Sequence, residues 1–182
     1  MELNFASVWE KIADLIPNNT ALICGNQTKT WNEYDLIAAK LATGLTQAGL
    51  TTYSKAGLYL HNSNEYLEAQ YAIFKIGGTP INVNYRYKSK ELLYLLDNSD
   101  CEALFYQACY GDQINKIKHL LPKIKVWIEI EDGSESLVQE CINYSTIIQT
   151  CDAMNRCKRP DDIVYMLYTG GTTGMPKGVM YN

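Results

Sequence analysis

This sequence lacks the raw material of a metal site or a disulfide scaffold. It has only two histidines, His61 and His119, and its six cysteines (24, 101, 109, 141, 151 and 157) include no Cys-x-x-Cys pair. Cys151 and Cys157 could supply half of a metal site, but no second half stands elsewhere in the chain. The spacing favours free thiols in a reducing compartment. Three Asn-x-Ser/Thr triplets, at Asn18, Asn26 and Asn143, would matter only in a secreted protein and are read as chance. Long hydrophobic runs are missing too: no apolar stretch approaches the ~20 residues of a membrane span. The opening MELNFASVWEKIADLIP has Glu2 and no basic start or signal-type core, so export is not expected and a cytoplasmic location is. Positive charge is scarce, with 16 Lys+Arg against 20 Asp+Glu, a net charge of -4 and a pI of about 5.2. No basic surface is on offer, which argues against a nucleic-acid partner. The remaining balance, 47% hydrophobic and 20% charged over 182 residues, suits one sizeable globular core and excludes wholesale disorder.

Two familiar nucleotide loops are missing as well. No Gly-x4-Gly-Lys-Ser/Thr run occurs, since Lys177 follows Pro176 and precedes Gly178. The glycine-rich stretch holds no Gly-x-Gly opening a helix, and Val179-Met180-Tyr181 after it reads as strand. What is present is Leu167 to Met180, LYTGGTTGMPKGVM, with four glycines, three threonines, one proline and one lysine behind the apolar run Ile163 to Leu167. Glycines permit the positive-φ turns that aim backbone N–H groups into a concavity, which is how a loop holds an anion without a helix N-terminus. Thr169, Thr172 and Thr173 add hydroxyl donors, and Gly170, Gly171 and Gly174 add backbone donors. Lys177 adds a mobile positive charge suited to a terminal phosphate, and Pro176 would stiffen its approach. The competing structural reading is an ordinary Gly/Thr-rich hairpin loop. The order Tyr-Thr-Gly-Gly-Thr-Thr-Gly-x-Pro-Lys-Gly is specific enough to favour a grip on a nucleotide triphosphate or its pyrophosphate half.

Strand-like and helix-like segments alternate along the chain. Thr20 to Cys24 is a short strand ended by Gly25. Thr30 and Glu33 form a capping box for a helix that presents Tyr34, Ile37, Leu41, Leu45 and Ala48 on one face and stops at Gly49. Ala56 to Leu60 reads as a buried strand. A second cap at Asn62 and Glu65 opens a helix that ends at Gly77-Gly78. Strand Thr79 to Val83, helix Ser89 to Leu96 and strand Glu102 to Tyr106 follow. A helical stripe, Ile114, Ile117 and Leu121, is stopped by Pro122. Strand Lys125 to Ile130 then turns at Asp132-Gly133, and Leu137, Cys141, Tyr144 and Ile148 mark a last helix. Thr150 to Asp162 reads as a connecting loop. The alternation predicts an α/β architecture with a largely parallel sheet, and in such sheets ligands gather beyond the carboxyl ends of the strands. His61 also follows a strand, Gly57 to Leu60, and Arg86 lies in a tyrosine-rich loop, Tyr85-Arg86-Tyr87. A cap or surface contact is favoured for His61, and stacking among the rings of Tyr85 and Tyr87 for Arg86.

At residues 168 to 178 the chain resembles the adenylate-forming superfamily: acyl-CoA synthetases, luciferases and peptide-synthetase adenylation domains. Gly170 stands where many members have serine, so a serine contact to phosphate does not carry over; the glycine form resembles a subgroup of fatty-acyl and sterol-side-chain CoA ligases. Thr30-Trp31-Asn32-Glu33-Tyr34, Leu58 to Ala69 and Gly77 to Tyr87 are similar to further stretches of the family, the last to its acyl-CoA synthetase branch. The resemblance implies the N-terminal part of a large adenylation domain and a two-step ligase. A carboxylic acid would attack Mg-ATP to give an acyl-adenylate, and coenzyme A would then take the acyl group. Carboxylic acid, ATP, Mg2+ and CoA are thus the implied substrates and cofactors, and nothing specifies an oligomeric state. Lys177 is the implied catalytic charge, and Thr169, Gly170, Gly171, Thr172, Thr173, Gly174 and Lys177 the implied phosphate-binding set.

The chain stops at Asn182, and the resemblance implies adenine-binding, acyl-pocket and C-terminal parts beyond it. The chain is therefore expected to be an N-terminal fragment, inactive as a ligase by itself, in which the strand starting at Gly178 would lack partners. Two alternatives stay open: an enzyme loading an amino or aryl acid onto a carrier protein, and a stand-alone phosphate-binding module without chemistry.

Overall fold

The computed structural model describes residues 4–160, 165–169 and 176–181. Helix α1 (Phe5–Leu15) opens at Asn4, whose side chain accepts from the Ser7 N–H at 2.9 Å. Strands β1 (Thr20–Cys24) and β2 (Gln27–Thr30) form a separate antiparallel hairpin. Helix α2 (Trp31–Gln47) starts on the expected capping box: the Glu33 N–H donates to Thr30 Oγ1 at 3.2 Å, and the Glu33 carboxylate accepts from the Thr30 N–H at 2.8 Å. These bonds use backbone donors that a helix start otherwise leaves unpaired. Gly49, at φ +87°, turns the chain out of α2 in a conformation that glycine adopts without strain.

Strand β3 (Lys55–Tyr59) leads to α3 (Asn64–Lys75), then β4 (Thr79–Asn82), α4 (Ser89–Asn98), β5 (Ala103–Gln107) and α5 (Gly111–Ile117). The cap of α3 is Ser63, not Asn62: its hydroxyl accepts from the Tyr66 N–H at 3.3 Å. Strands β6 (Val126–Ile130) and β7 (Ile142–Asn143) precede α6 (Tyr144–Thr150), and β8 (Tyr165–Thr169) and β9 (Lys177–Tyr181) complete the set. The helix expected from Leu137 to Ile148 is shorter than its spacing suggested. Residues 137–141 form no helix, Leu137 is exposed, and Val138 is buried instead.

Seven strands form one sheet in the order β7-β6-β5-β3-β4-β8-β9, parallel except for the final β8–β9 pair. Successive residues of the central strands enter different cores, as the two-residue period of a pleated strand requires. Leu58, Phe105 and Ile128 pack with Leu41 and Leu45 of α2, Ile73 of α3 and Ile147 of α6. Tyr59, Leu104 and Trp127 pack with Leu92 and Leu95 of α4 and Ile114 of α5. A third, aromatic cluster joins α1 to α2 and α3 through Ala6, Tyr34, Tyr71 and Phe74, with Trp9 and Tyr165 against it. The fold is thus the expected α/β sheet covered on both faces, with α1 and its aromatic cluster as an addition that sequence reasoning did not anticipate.

Candidate functional site

The site is built from the carboxyl ends of neighbouring strands. Strands β4 and β8 run parallel, with Ile81 opposite Met166 and Asn82 opposite Leu167, so the chain leaving β4 and the chain leaving β8 emerge at the same edge. Strand β8 ends at Thr169, and β9 begins at Lys177 directly across from it in an antiparallel register. The pair Thr169–Lys177 therefore closes the mouth of the glycine-rich loop. Lys177 is exposed there, and Pro176 beside it is buried. Gly170, Gly171, Thr172, Thr173 and Gly174 lie outside the described residues, as do Ile163 and Val164 of the strand expected ahead of the loop.

The strand after the loop has a partner on one side, and its outer edge has none among the described residues. It begins at Lys177 and pairs with β8 from Thr169–Lys177 through Tyr165–Tyr181. The expectation missed this because the new strand runs antiparallel to the one just left and finds its partner there.

Gly178 has a role that sequence reasoning missed. A Cβ at this position would lie 3.0 Å from the Tyr168 ring across the strand pair. The missing side chain lets the ring lie against the backbone of β9, while the Tyr168 hydroxyl donates to Asn98 Oδ1 at 2.9 Å and ties the hairpin to α4. Burial raises the Tyr168 phenol pKa above its ordinary value. The only sequence signal is the cross-strand pairing of an aromatic residue with a glycine, which appears once the hairpin register is known.

His61, at the carboxyl end of β3, is a bridge between segments. Its backbone N–H and its Nδ1 both meet Gln107 Oε1, at 2.9 and 2.7 Å, and its Nε2 lies 3.0 Å from the Tyr110 hydroxyl. A neutral ring protonated on Nδ1 satisfies both contacts, with Nε2 accepting from the tyrosine. The cap or surface role expected of His61 agrees with this. Arg86 lies over the Tyr85 ring at 5.3 Å, the stacking expected of it, although the ring engaged is Tyr85 alone. All six cysteines are free thiols.

The profile of the AMP-binding enzyme family matches residues 9–182. The chain belongs to this family. Among relatives of the AMP-binding domain, a medium/long-chain-fatty-acid–CoA/3-oxocholest-4-en-26-oate–CoA ligase of Mycobacterium tuberculosis (strain ATCC 25618 / H37Rv) is 37% identical over 98% of this chain and 33% of its own length. The 3-oxocholest-4-en-26-oate–CoA ligase of Rhodococcus rhodochrous is 38% identical over 100% of this chain and 33% of its own. The chain thus spans about a third of the length of the curated relatives it matches. Its AMP-binding fold superposes on the anthranilate CoA ligase AuaEII, solved in complex with anthranoyl-AMP, with a TM-score of 0.90 and 21% identity over 98% of this chain and 34% of that one.

Proposed function

We propose that this domain serves the ATP-dependent activation of a carboxylic acid, and that the acid is a fatty acid or a sterol side-chain acid. In the first step a carboxylate oxygen attacks the α-phosphorus of ATP. The bond to the bridging oxygen breaks and pyrophosphate leaves, giving the acyl-adenylate. In the second step the sulfur of coenzyme A attacks the acyl carbon, loses its proton and releases AMP. The observation that carries this reading is the β8–β9 hairpin. It sets Thr169 and the exposed Lys177 opposite each other at the carboxyl edge of the sheet, on either side of the glycine- and threonine-rich run. The fatty-acid and 3-oxocholestenoate ligases among the relatives support the substrate class.

Negative charge builds on the pyrophosphate oxygens as the α-phosphorus bond breaks. Donors already aimed at that position stabilise the transition state more than the ground state. Lys177 supplies the positive charge, Thr169, Thr172 and Thr173 supply hydroxyls, and Gly170, Gly171 and Gly174 supply backbone N–H groups. Mg2+ would accompany ATP and offset the charge of its phosphates. No helix among the described residues is long and apolar enough to cross a membrane. The free thiols fit a reducing cytoplasm, where we place the reaction.

The test is acid-dependent exchange of pyrophosphate into ATP by the full-length protein, with a medium- or long-chain fatty acid and with a 3-oxocholestenoate. Exchange with either acid is expected, and Lys177→Ala is expected to slow it by roughly 100-fold, the scale of losing one transition-state donor. Exchange unaffected by Lys177→Ala would sink the role of the lysine. Exchange only with amino or aryl acids would move the enzyme to another substrate class, and no exchange with any acid would overturn the reading.

A further inference from the structure

We propose that Arg159 and Glu10 are positioning residues that fix the placement of the phosphate-binding hairpin on the helical body of the domain. The proposal rests on the functional reading above. Residues 152–160 have no regular secondary structure, yet they carry one of the most buried ionic clusters in the molecule. Arg159 is 4% exposed, Glu10 5% and Lys75 2%. The Arg159 guanidinium donates to both oxygens of the Glu10 carboxylate, from Nη1 at 3.0 Å and Nη2 at 2.7 Å, and from Nε to the Lys75 carbonyl at 2.6 Å. Lys75 Nζ closes the cluster on Glu10 at 2.9 Å and on Asp35 at 2.7 Å. One arginine is thereby locked to α1 and to the last residue of α3. A fork of this kind fixes direction as well as distance, which a lysine cannot do.

The position of this clamp in the chain is what gives it a consequence for the site. Strand β8 starts at Tyr165, shortly after Arg159, and delivers the loop at Thr169. Among the described residues β8 pairs with β4 at Ile81–Met166 and Asn82–Leu167. A loop that is to meet a phosphate in one place needs its hairpin anchored to the body of the domain. The helical body supplies two such contacts ahead of the loop: Arg159 is gripped by α1 and α3, and Tyr165 packs on the aromatic cluster of the same helices. Further bonds lay the segment along α2, with the Met154 N–H donating to the Ala39 carbonyl at 3.0 Å and the Thr43 hydroxyl to the Asp152 carbonyl at 2.7 Å.

A role in stability and a role in positioning make different predictions. Arg159→Met leaves a buried carboxylate short of a partner and should destabilise the fold. Removing both partners, as in Glu10→Met with Arg159→Met, leaves Lys75 paired with Asp35 and should restore much of that stability. If the clamp only stabilises, the double variant recovers activity along with thermal stability. If it positions the hairpin, the double variant recovers melting temperature but keeps a KM for ATP raised by roughly tenfold, with the KM for the acid little changed. Glu68→Gln is the control, since it disturbs a comparable buried carboxylate, held by Lys29 at 2.7 Å and by the Tyr144 hydroxyl, outside the 152–160 segment. It should lower stability without the ATP effect. All variants are read in the full-length protein beside wild type and Lys177→Ala. Exchange that is absent from wild type or indifferent to Lys177→Ala marks a failure of the functional reading. Exchange that is sensitive to Lys177→Ala, with a wild-type KM for ATP in both Arg159 variants, overturns the positioning role alone.

Discussion

At Gly44 helix propensity and packing disagree. A glycine inside α2 costs roughly 1 kcal/mol of helix stability relative to alanine, so Gly44→Ala looks like a gain. A Cβ there, however, would lie 2.6 Å from Cγ2 of Ile147, a buried β-branched side chain on α6 with little room to turn. Overpacking of that kind costs about 1–3 kcal/mol and outweighs the propensity term. Gly44→Ala is therefore expected to lower the urea midpoint, and Gly44→Ala with Ile147→Val to recover part of it. An increase in the single variant would show that the α2–α6 contact yields easily. The sequence marks this glycine only as a local weakness, because the residue that makes it necessary lies about a hundred positions away. Lys177 differs: the role proposed for it is read from its immediate neighbours in the sequence, and it stands opposite Thr169 at the start of β9.

Single ionisable groups can also be followed by pH. Burial alone would raise the Asp132 carboxyl, but bonds from the Cys109 thiol and from the Ser134 and Cys109 N–H groups outweigh it and hold the pKa down to about 2. A depressed folded-state pKa gives stability that is fully present above the unfolded value of about 3.9 and lost as pH falls through the folded one. The stability difference between wild type and Asp132→Asn should thus be constant above about pH 5 and shrink between about pH 4 and 2. A difference that stays flat down to pH 2 would show that the loop after β6 does not hold the carboxylate in this way.

Among the elements, those set by nearby residues were legible and those set by distant ones were not. The start of α2 is written in Thr30 and Glu33, three residues apart, and the structure makes both bonds of the box. Thr30→Ala should cost about 1 kcal/mol in chemical denaturation, the usual value of a lost N-cap; no change would mean that tertiary packing alone sets where α2 begins. By contrast, α1 hides its pattern, because Glu10 interrupts its buried face, and the partners that make a buried carboxylate tolerable are Lys75 and Arg159, 65 and 149 residues away. The stripe from Leu137 to Ile148 has helical spacing, yet Glu140 sits at φ +55° and the Lys118 ammonium binds the Gln139 and Glu140 carbonyls. Those carbonyls are thereby turned outward to a distant lysine, so only α6, from Tyr144, is helical.

Across the whole molecule, protection should fall from the centre of the sheet toward the hairpin. Strand β3 is paired on both sides, to β4 and β5, and Leu58, Tyr59, Leu104 and Phe105 on β3 and β5 are buried to 0% exposure. Strand β9 pairs with β8 alone among the described residues, and its Val179 and Met180 are exposed. Segments with fewer buried contacts open at lower free energy than the global transition. In native-state hydrogen exchange of the 182-residue chain, the amides of β3 and β5 should therefore exchange only by global unfolding, while those of β8 and β9 exchange through a smaller opening with a weaker denaturant dependence. The Arg159 anchor would set how far that opening goes. Arg159→Met should then speed exchange in β8 and β9 more than in β3 and β5. Equal acceleration throughout would mean that the clamp stabilises the domain as one unit and leaves the hairpin no freedom of its own.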